Sequence, residues 1–303
     1  MQKNKINPEL FDDELVKIAI DRILKFKKIA DNMGFEICLG FSGGKDSQVV
    51  YDLCLKSGVE FKAYFNQSFE SSITLKFIKE KYPDVIFRRD HNFGFIENIY
   101  KNHGGLLPTV QYSYCCTDYK HNSKYVDKAS IVGVRKQESK GRQTRTAFEY
   151  KNKTTKKKNE LLVNEYFQEN CQSIGTASII QLKPIIEWTD DNVWNYIYKN
   201  NLPINPEYKE NKRVGCLVCP KANFTANAKA LIKHPKIIDA FIKAREKGTL
   251  NIDWLINSEK IDCSDDKLYY ICRWLNHSFM PFSKKQEKLY LQVKEAYLNI
   301  KKK

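Results

Sequence analysis

The six residues Ser42-Gly43-Gly44-Lys45-Asp46-Ser47 constrain the fold more than any other stretch, because they join an apolar run to a helical pattern. Residues 35–41 read Phe-Glu-Ile-Cys-Leu-Gly-Phe, a short and mostly apolar segment that predicts a strand. Residues 48–55 carry helical apolar spacing, so the order is strand, turn, helix. Two adjacent glycines let the backbone approach a ligand closely, and the first N–H groups of a helix lack intrahelical partners and favour an anion. Lys45 adds a formal positive charge. A strand-to-helix turn merely capped by Asp46 or Ser47 has the same outline, so the rest of the chain must decide between the two.

The flanking sequence repeats the alternation. Residues 8–33 space Leu10, Leu15, Ile18, Ile20, Ile23, Leu24, Phe26 and Ile29 as an amphipathic helix. Residues 60–66, 84–87 and 129–134 predict further strands, with a helix over 73–81. Such alternation implies an α/β fold with a Rossmann-like parallel sheet covered by helices. The last of these strands delivers Gly133 and Arg135 to the carboxyl edge, where open sheets of this kind bind ligands. Thr189-Asp190-Asp191 starts another helix, and Pro203 and Pro206 end it. Beyond it, residues 226–232, 237–247 and 284–300 read as helices with no strand pattern. The expected division is an N-terminal helix at 1–33, a nucleotide-binding domain at 34–220 and a helical C-terminal region at 221–303.

Lys plus Arg outnumber Asp plus Glu by 51 to 36, a formal charge of +15 that draws a protein towards polyanions such as nucleic acid. A lysine-rich solubility habit has the same signature. The basic run at residues 151–159 is a surface loop or a phosphate-contacting arm. No apolar stretch reaches the ~18 residues of a membrane span, and the N-terminus lacks a signal peptide's apolar core, so the cytoplasm is the expected compartment.

Nine cysteines in such a chain argue for metal or redox chemistry rather than a disulfide framework. Four form two close pairs, Cys115-Cys116 and Cys216-Leu217-Val218-Cys219, the second followed by Pro220. Four thiolates suit a structural Zn²⁺ or an iron–sulfur cluster, and spacing does not separate the two. A thioredoxin-like pair would follow a strand, whereas Arg213-Val214-Gly215 precedes this one in a turn-rich region. The last cysteines are Cys263 and Cys272; Cys272, flanked by Ile271 and Trp274, is expected to be buried.

Residues 42–47 are not a Walker-type loop: Leu39 stands where its first glycine is needed, and Asp46 follows the lysine. They resemble the PP-loop of the adenine-nucleotide alpha hydrolases. Tyr114-Cys115-Cys116-Thr117-Asp118-Tyr119-Lys120 and Val214-Gly215-Cys216-Leu217-Val218-Cys219-Pro220 are similar to the paired motifs of the adenylylsulfate/phosphoadenylylsulfate (APS/PAPS) reductase superfamily. So are Gly133-Val134-Arg135-Lys136-Gln137-Glu138-Ser139 and residues 184–194, and the resemblance covers 34–220.

That resemblance implies an enzyme with ATP or an adenylyl sulfate on Ser42, Gly43, Gly44, Lys45, Asp46, Ser47, Gly133, Arg135 and Arg142. It implies a [4Fe–4S] cluster on Cys115, Cys116, Cys216 and Cys219, with structural Zn²⁺ as the alternative. Lys120 occupies the place of the lysine that links cluster and substrate, so the implied catalytic residues are Lys45, Lys120 and Arg142, with Mg²⁺ accompanying ATP. Glu138 is expected to hold its loop rather than a metal. Assimilatory reductases attack sulfur with a cysteine in Glu-Cys-Gly-Leu-His, a motif this sequence lacks. The reading therefore turns to the cluster-containing branch that resembles the DNA-phosphorothioation ATP pyrophosphatases. There, adenylylation precedes sulfur transfer, here with nucleic acid as a candidate acceptor and a sulfur-donor or reductant protein as partner. A thioredoxin-dependent sulfonucleotide reductase and a non-catalytic module sensing nucleotide and cluster are the alternatives.

Overall fold

The computed structural model describes residues 12–89, 93–120, 128–152, 158–159, 178–249, 267–276 and 282–302. The middle of the basic run, at 153–157, and Cys263 lie outside them, as do the first residues of the helix expected over 8–33. The chain separates into two compact units that interleave along the sequence, one drawn from residues 1–66, 72–88 and 124–215, the other from 67–71, 89–123 and 216–303. Residues 34–220, expected as one domain, are thus shared between the two.

The first unit is built on a seven-stranded sheet in the order β3-β2-β1-β4-β7-β5-β6. Its strands are β1 (Ile37–Gly40), β2 (Lys62–Asn66), β3 (Ile86–Arg88), β4 (Ala129–Val132), β5 (Phe148–Asn152), β6 (Lys158–Asn159) and β7 (Ser178–Leu182). β1 pairs in parallel with β2, Leu39 opposite Ala63, and with β4, Leu39 opposite Ile131. β2 with β3 and β4 with β7 are also parallel. The edge adds antiparallel pairing to the expected parallel sheet: β5 runs antiparallel to both β7 and β6. A parallel return needs a long crossover, usually a helix. Between β4 and β5 the chain makes only two 3₁₀ turns, Lys136–Glu138 and Lys140–Arg142.

Helices α1 (Asp13–Asn32), α2 (Lys45–Ser57), α3 (Ser72–Lys81) and α5 (Asp190–Lys199) belong to this unit. α1 begins where the Asp12 carboxylate accepts the Glu14 N–H at 2.8 Å, and buries Ala19, Ile23, Phe26, Ile29 and Ala30 along one face. These side chains join Ile37, Leu39, Val49, Leu53, Ile131, Phe148 and Ile180 in one core. Burying each large aliphatic or aromatic side chain contributes about 1.5–3 kcal/mol against backbone entropy. α5 starts at the predicted place, with Thr189 as N-cap in a reciprocal box with Asn192.

The second unit is helical. It contains α4 (Phe95–Lys101), α6 (Phe224–Lys233), α7 (Lys236–Glu246), α8 (Lys267–Asn276) and α9 (Lys284–Lys301), and a π-helical turn over Cys116–Lys120. Its core gathers Ile99, Leu107, Tyr114, Phe224, Leu231, Phe241, Ile271 and Val293. The Trp274 indole N–H donates to the Pro108 carbonyl at 2.7 Å, which ties α8 to the segment leading into the first cysteine pair. Among the described residues no helix is long and apolar enough to cross a membrane.

Candidate functional site

Strand order places the first site. The sheet is entered at β1, from which the chain proceeds outward to β2 on one side while β4 lies on the other, so the carboxyl ends of β1 and β4 flank a topological switch point. Residues 42–47 follow β1, and Gly133 to Arg135 follow β4. The loop is preformed by its own polar groups. The Ser42 N–H and hydroxyl both donate to Ser47 Oγ at 3.1 Å, and the Ser47 hydroxyl donates to the Gly44 carbonyl at 2.8 Å. Gly43, at φ 71°, turns its carbonyl to Gln48 Nε2 at 3.1 Å and Asn205 Nδ2 at 3.0 Å. That left-handed conformation suits glycine alone here, since a Cβ would also meet Ile78 at 2.9 Å. The Lys45 N–H donates to the Tyr208 hydroxyl at 2.8 Å.

Gly133 explains how β4 reaches this loop. A Cβ there would lie 2.7 Å from the Asp46 carbonyl carbon, so the two backbones touch with no room for a side chain. One residue beyond Val134, Arg135 is 3 % exposed and donates from Nε to Asp46 Oδ1 at 2.5 Å and from Nη2 to Asp190 Oδ1 at 2.9 Å. Lys45 Nζ meets the same two carboxylates, at 3.1 Å on Asp46 and 3.0 Å on Asp190. Two cations thus share two anions. Burial pushes the Asp190 carboxyl up, but Lys45 and Arg135 outweigh it and hold it below the usual carboxylate range. Both oxygens of Asp46 are engaged by cations, so a Mg²⁺ at Asp46 would have to displace one. Arg135 is set to fix the loop's acidic residue, while Arg142 faces a different environment.

Arg142 pairs closely with Glu138, whose carboxylate also accepts the Arg135 N–H at 3.2 Å, the loop-holding role expected for it. Burial lowers the Arg142 guanidinium's pKa, and Arg213 and Arg145 lower it further, with Asp46 opposing. Arg142 thus feels three other guanidinium groups, those of Arg213, Arg145 and Arg135, a repulsion that a multiply charged anion would relieve. Sequence reasoning had Arg142 but missed Arg213, which stands in sequence beside the CxxC motif. It also missed Asp190, Tyr208 and Asn205, whose signals are only a helix start and a proline-broken turn.

The second unit brings both cysteine pairs and Lys120 together. Cys116 hydrogen-bonds the Cys115 thiol, and burial together with Cys216 and Cys219 drives Cys115 further towards its neutral form. The second pair is anchored from both sides: the Leu217 N–H donates to the Phe69 carbonyl at 2.7 Å, and the Cys219 N–H donates to Asn227 Oδ1 at 3.0 Å. Lys120 Nζ lies 3.3 Å from Glu70 Oε1 and hydrogen-bonds Cys216. Burial opposes the Lys120 charge, yet Cys216 and Glu70 overcome it and raise the ammonium's pKa. Burial raises the Cys216 thiol, as do Glu70 and Cys219, while Lys120 favours its thiolate. Glu70, 4 % exposed at its side chain, is the residue here that sequence reasoning did not find.

Asp118, within the π-helical turn, accepts from Asn98 Nδ2 and meets His103 Nε2, each at 2.8 Å, so the turn bearing Cys116 and Lys120 is held on two sides. Among the described residues no group of three or more His, Cys, Asp or Glu is arranged to hold a single metal ion. The donor set, four soft sulfurs acting on one another beside one ammonium, fits a thiolate-ligated cluster in its chemistry.

Residues 36–222 match the family model for the phosphoadenosine phosphosulfate reductase domain. The chain belongs to this family. Among its relatives, an adenosine 5'-phosphosulfate reductase of Lysinibacillus sphaericus is 28% identical over 225 residues, 70% of this chain and 84% of the relative. A sulfate adenylyltransferase subunit 2 of Aliivibrio fischeri is 29% identical over 191 residues, covering 57% of this chain and 60% of that one. An uncharacterized protein of Methanocaldococcus jannaschii is 27% identical over 234 residues, 73% of this chain; the match spans about half of that relative, 49%. Among solved structures, the U34-tRNA thiolase NcsA from Methanococcus maripaludis with its [4Fe-4S] cluster aligns over 81% of this chain and 83% of its own. Its sequence identity is 13% and its TM-score 0.34.

Proposed function

We propose that this family member is an enzyme that binds ATP at residues 42–47 and cleaves it between the α- and β-phosphates, adenylylating an acceptor for sulfur transfer. The observation that carries the reading is the switch-point loop with Lys45 at its helix start and Arg142, Arg145 and Arg213 crowded nearby. In the proposed step an acceptor oxygen attacks the α-phosphorus, a new O–P bond forms, and the α–β bridging bond breaks with its electron pair leaving on pyrophosphate. Lys45 and the N–H groups opening α2 stabilise the leaving pyrophosphate, and Arg142 with its neighbours steadies the α-phosphoryl oxygens. A sulfide-level sulfur nucleophile, delivered by the donor partner, then bonds to the activated acceptor atom as that atom's bond to the adenylylated oxygen breaks, and AMP leaves with the electron pair. Nucleic acid is the acceptor class that the +15 charge favours.

Cys115, Cys116, Cys216 and Cys219 would hold a [4Fe–4S] cluster, which supplies redox and sulfur-binding chemistry when bound. Lys120 carries the positive charge beside Cys216, and Glu70 keeps it there. Cys272 is fully buried in α8, which argues against its serving as a reductase's mobile nucleophile. The reductase reading keeps support from relatives that bear that name, among them the one from Lysinibacillus sphaericus, matched along 84% of its length.

Pyrophosphate release from ATP by anaerobically purified protein tests the proposal, with water standing in for the acceptor as the attacking oxygen so that AMP is the second product. It should be present in the parent chain and fall by about two orders of magnitude or more in Lys45→Ala. Equal release by both proteins would remove the loop from the chemistry.

A further inference from the structure

We propose that the helical unit carries a binding cleft for an unpaired base and its flanking phosphates in a single-stranded polynucleotide. This inference rests on the reading that nucleic acid is the acceptor. The cleft has a volume of about 530 Å³, of the size that takes one base with its sugar, and every residue lining it belongs to this unit. Its floor is aromatic: Phe69 and Phe95 stack with ring centres 4.6 Å apart and planes 22° apart, and Phe241 braces both edge-on. Such a platform accepts any base by stacking, worth about 1–3 kcal/mol per base.

Its rim is basic. Lys243 and Lys247, both exposed, stand one helical turn apart at the end of α7, against a single lining carboxylate, Glu97. Lys247 Nζ lies 5.3 Å from the centre of the Tyr100 ring, which also lines the cleft. Two lysines four residues apart at a helix end suit the phosphates of an extended strand better than one carboxylate or an apolar peptide.

A third observation points to a base edge. Gln67 lines the cleft, and its Oε1 is shielded from water without a hydrogen-bond partner. A buried unpaired carbonyl oxygen is costly, and rotation of this side chain towards the cleft would offer it to an exocyclic amine or ring N–H of a base. The platform also leads directly to the cysteines in sequence and hydrogen bonding. The Phe69 carbonyl accepts the Leu217 N–H, and the next residue, Glu70, bridges to Cys216 and holds Lys120.

Fluorescence anisotropy of labelled oligo(U) and oligo(dT), each about 10 nucleotides long, with the full anaerobic chain tests the cleft. The parent should bind, and Lys243→Glu/Lys247→Glu should weaken binding about tenfold or more. The double variant should also reduce the slope of log affinity on log salt by about 1.4, the share of two phosphate contacts on a single strand. Gln67→Leu removes an unsatisfied polar group, so it should keep its melting temperature while losing affinity. Unchanged binding by both variants would overturn the proposal, as would binding of AMP but of neither oligonucleotide. Pyrophosphate release, measured on the same preparations, separates the two readings. If it is absent while binding remains variant-sensitive, only the adenylylation reading fails; if it is present while binding is variant-insensitive, only the cleft fails.

Discussion

Gly133 and Asp190 show how individual residues shape the proposed nucleotide-binding edge through their contacts with Asp46 and Lys45. Gly133→Ala places a Cβ 2.7 Å from the Asp46 backbone, so either β4 or the opening of α2 must move. We predict a stability loss of about 1–3 kcal/mol in denaturant titration, with a weakened ATP affinity that added nucleotide does not fully restore. The Asp190 pairs with Lys45 and Arg135 hold its carboxyl below the ordinary range, so their contribution is complete above the unfolded value near 3.9. It is lost as pH falls through the lower folded value. Asp190→Asn should therefore be less stable than the parent at neutral pH, and the two unfolding curves should converge as pH drops below about 4. Gly133 and Arg135 were legible as residues at the sheet edge. Their work, seating and neutralising Asp46, was not, because it joins the end of β4 to a residue 89 positions before Arg135.

At the scale of elements, the strands and helices that carry strong periodicity were readable from the sequence to within a few residues. β1, α2, β2, α3, β4 and α5 are each short apolar or amphipathic segments punctuated by Gly, Pro or a capping residue. Thr189 shows the strength of such a signal: its hydroxyl accepts the Asn192 N–H at 3.1 Å and opens α5 where expected. Thr189→Ala should cost about 1 kcal/mol in thermal or denaturant unfolding. The antiparallel edge was not readable, since β5 and β7 owe their partners to strands distant in sequence rather than to their own composition. The π-helical turn over Cys116–Lys120 is likewise a product of tertiary anchoring, by His103 and Asn98 on Asp118, and has no local sequence signature.

For the whole molecule, the cysteine spacing carried the most information. Two pairs a hundred residues apart were read as one site, and the fold gathers both into a single unit with Lys120. What the sequence did not disclose is that this unit is assembled from three separate stretches, because a chain that crosses repeatedly between units leaves no linker composition to mark the boundary. Replacing all four cysteines with serine should abolish the broad absorbance near ~400 nm of reconstituted protein. A zinc site would leave the parent colourless from the start. The family relatives divide between reduction and adenylyl transfer, so the nature of the nucleotide product decides the account. The direct measurement is mass spectrometry of the products formed when the anaerobically reconstituted chain is incubated separately with ATP, APS and PAPS. AMP and pyrophosphate from ATP, lost in Lys45→Ala, are the predicted result; sulfite from APS or PAPS in the presence of thioredoxin, with ATP returned intact, would contradict it.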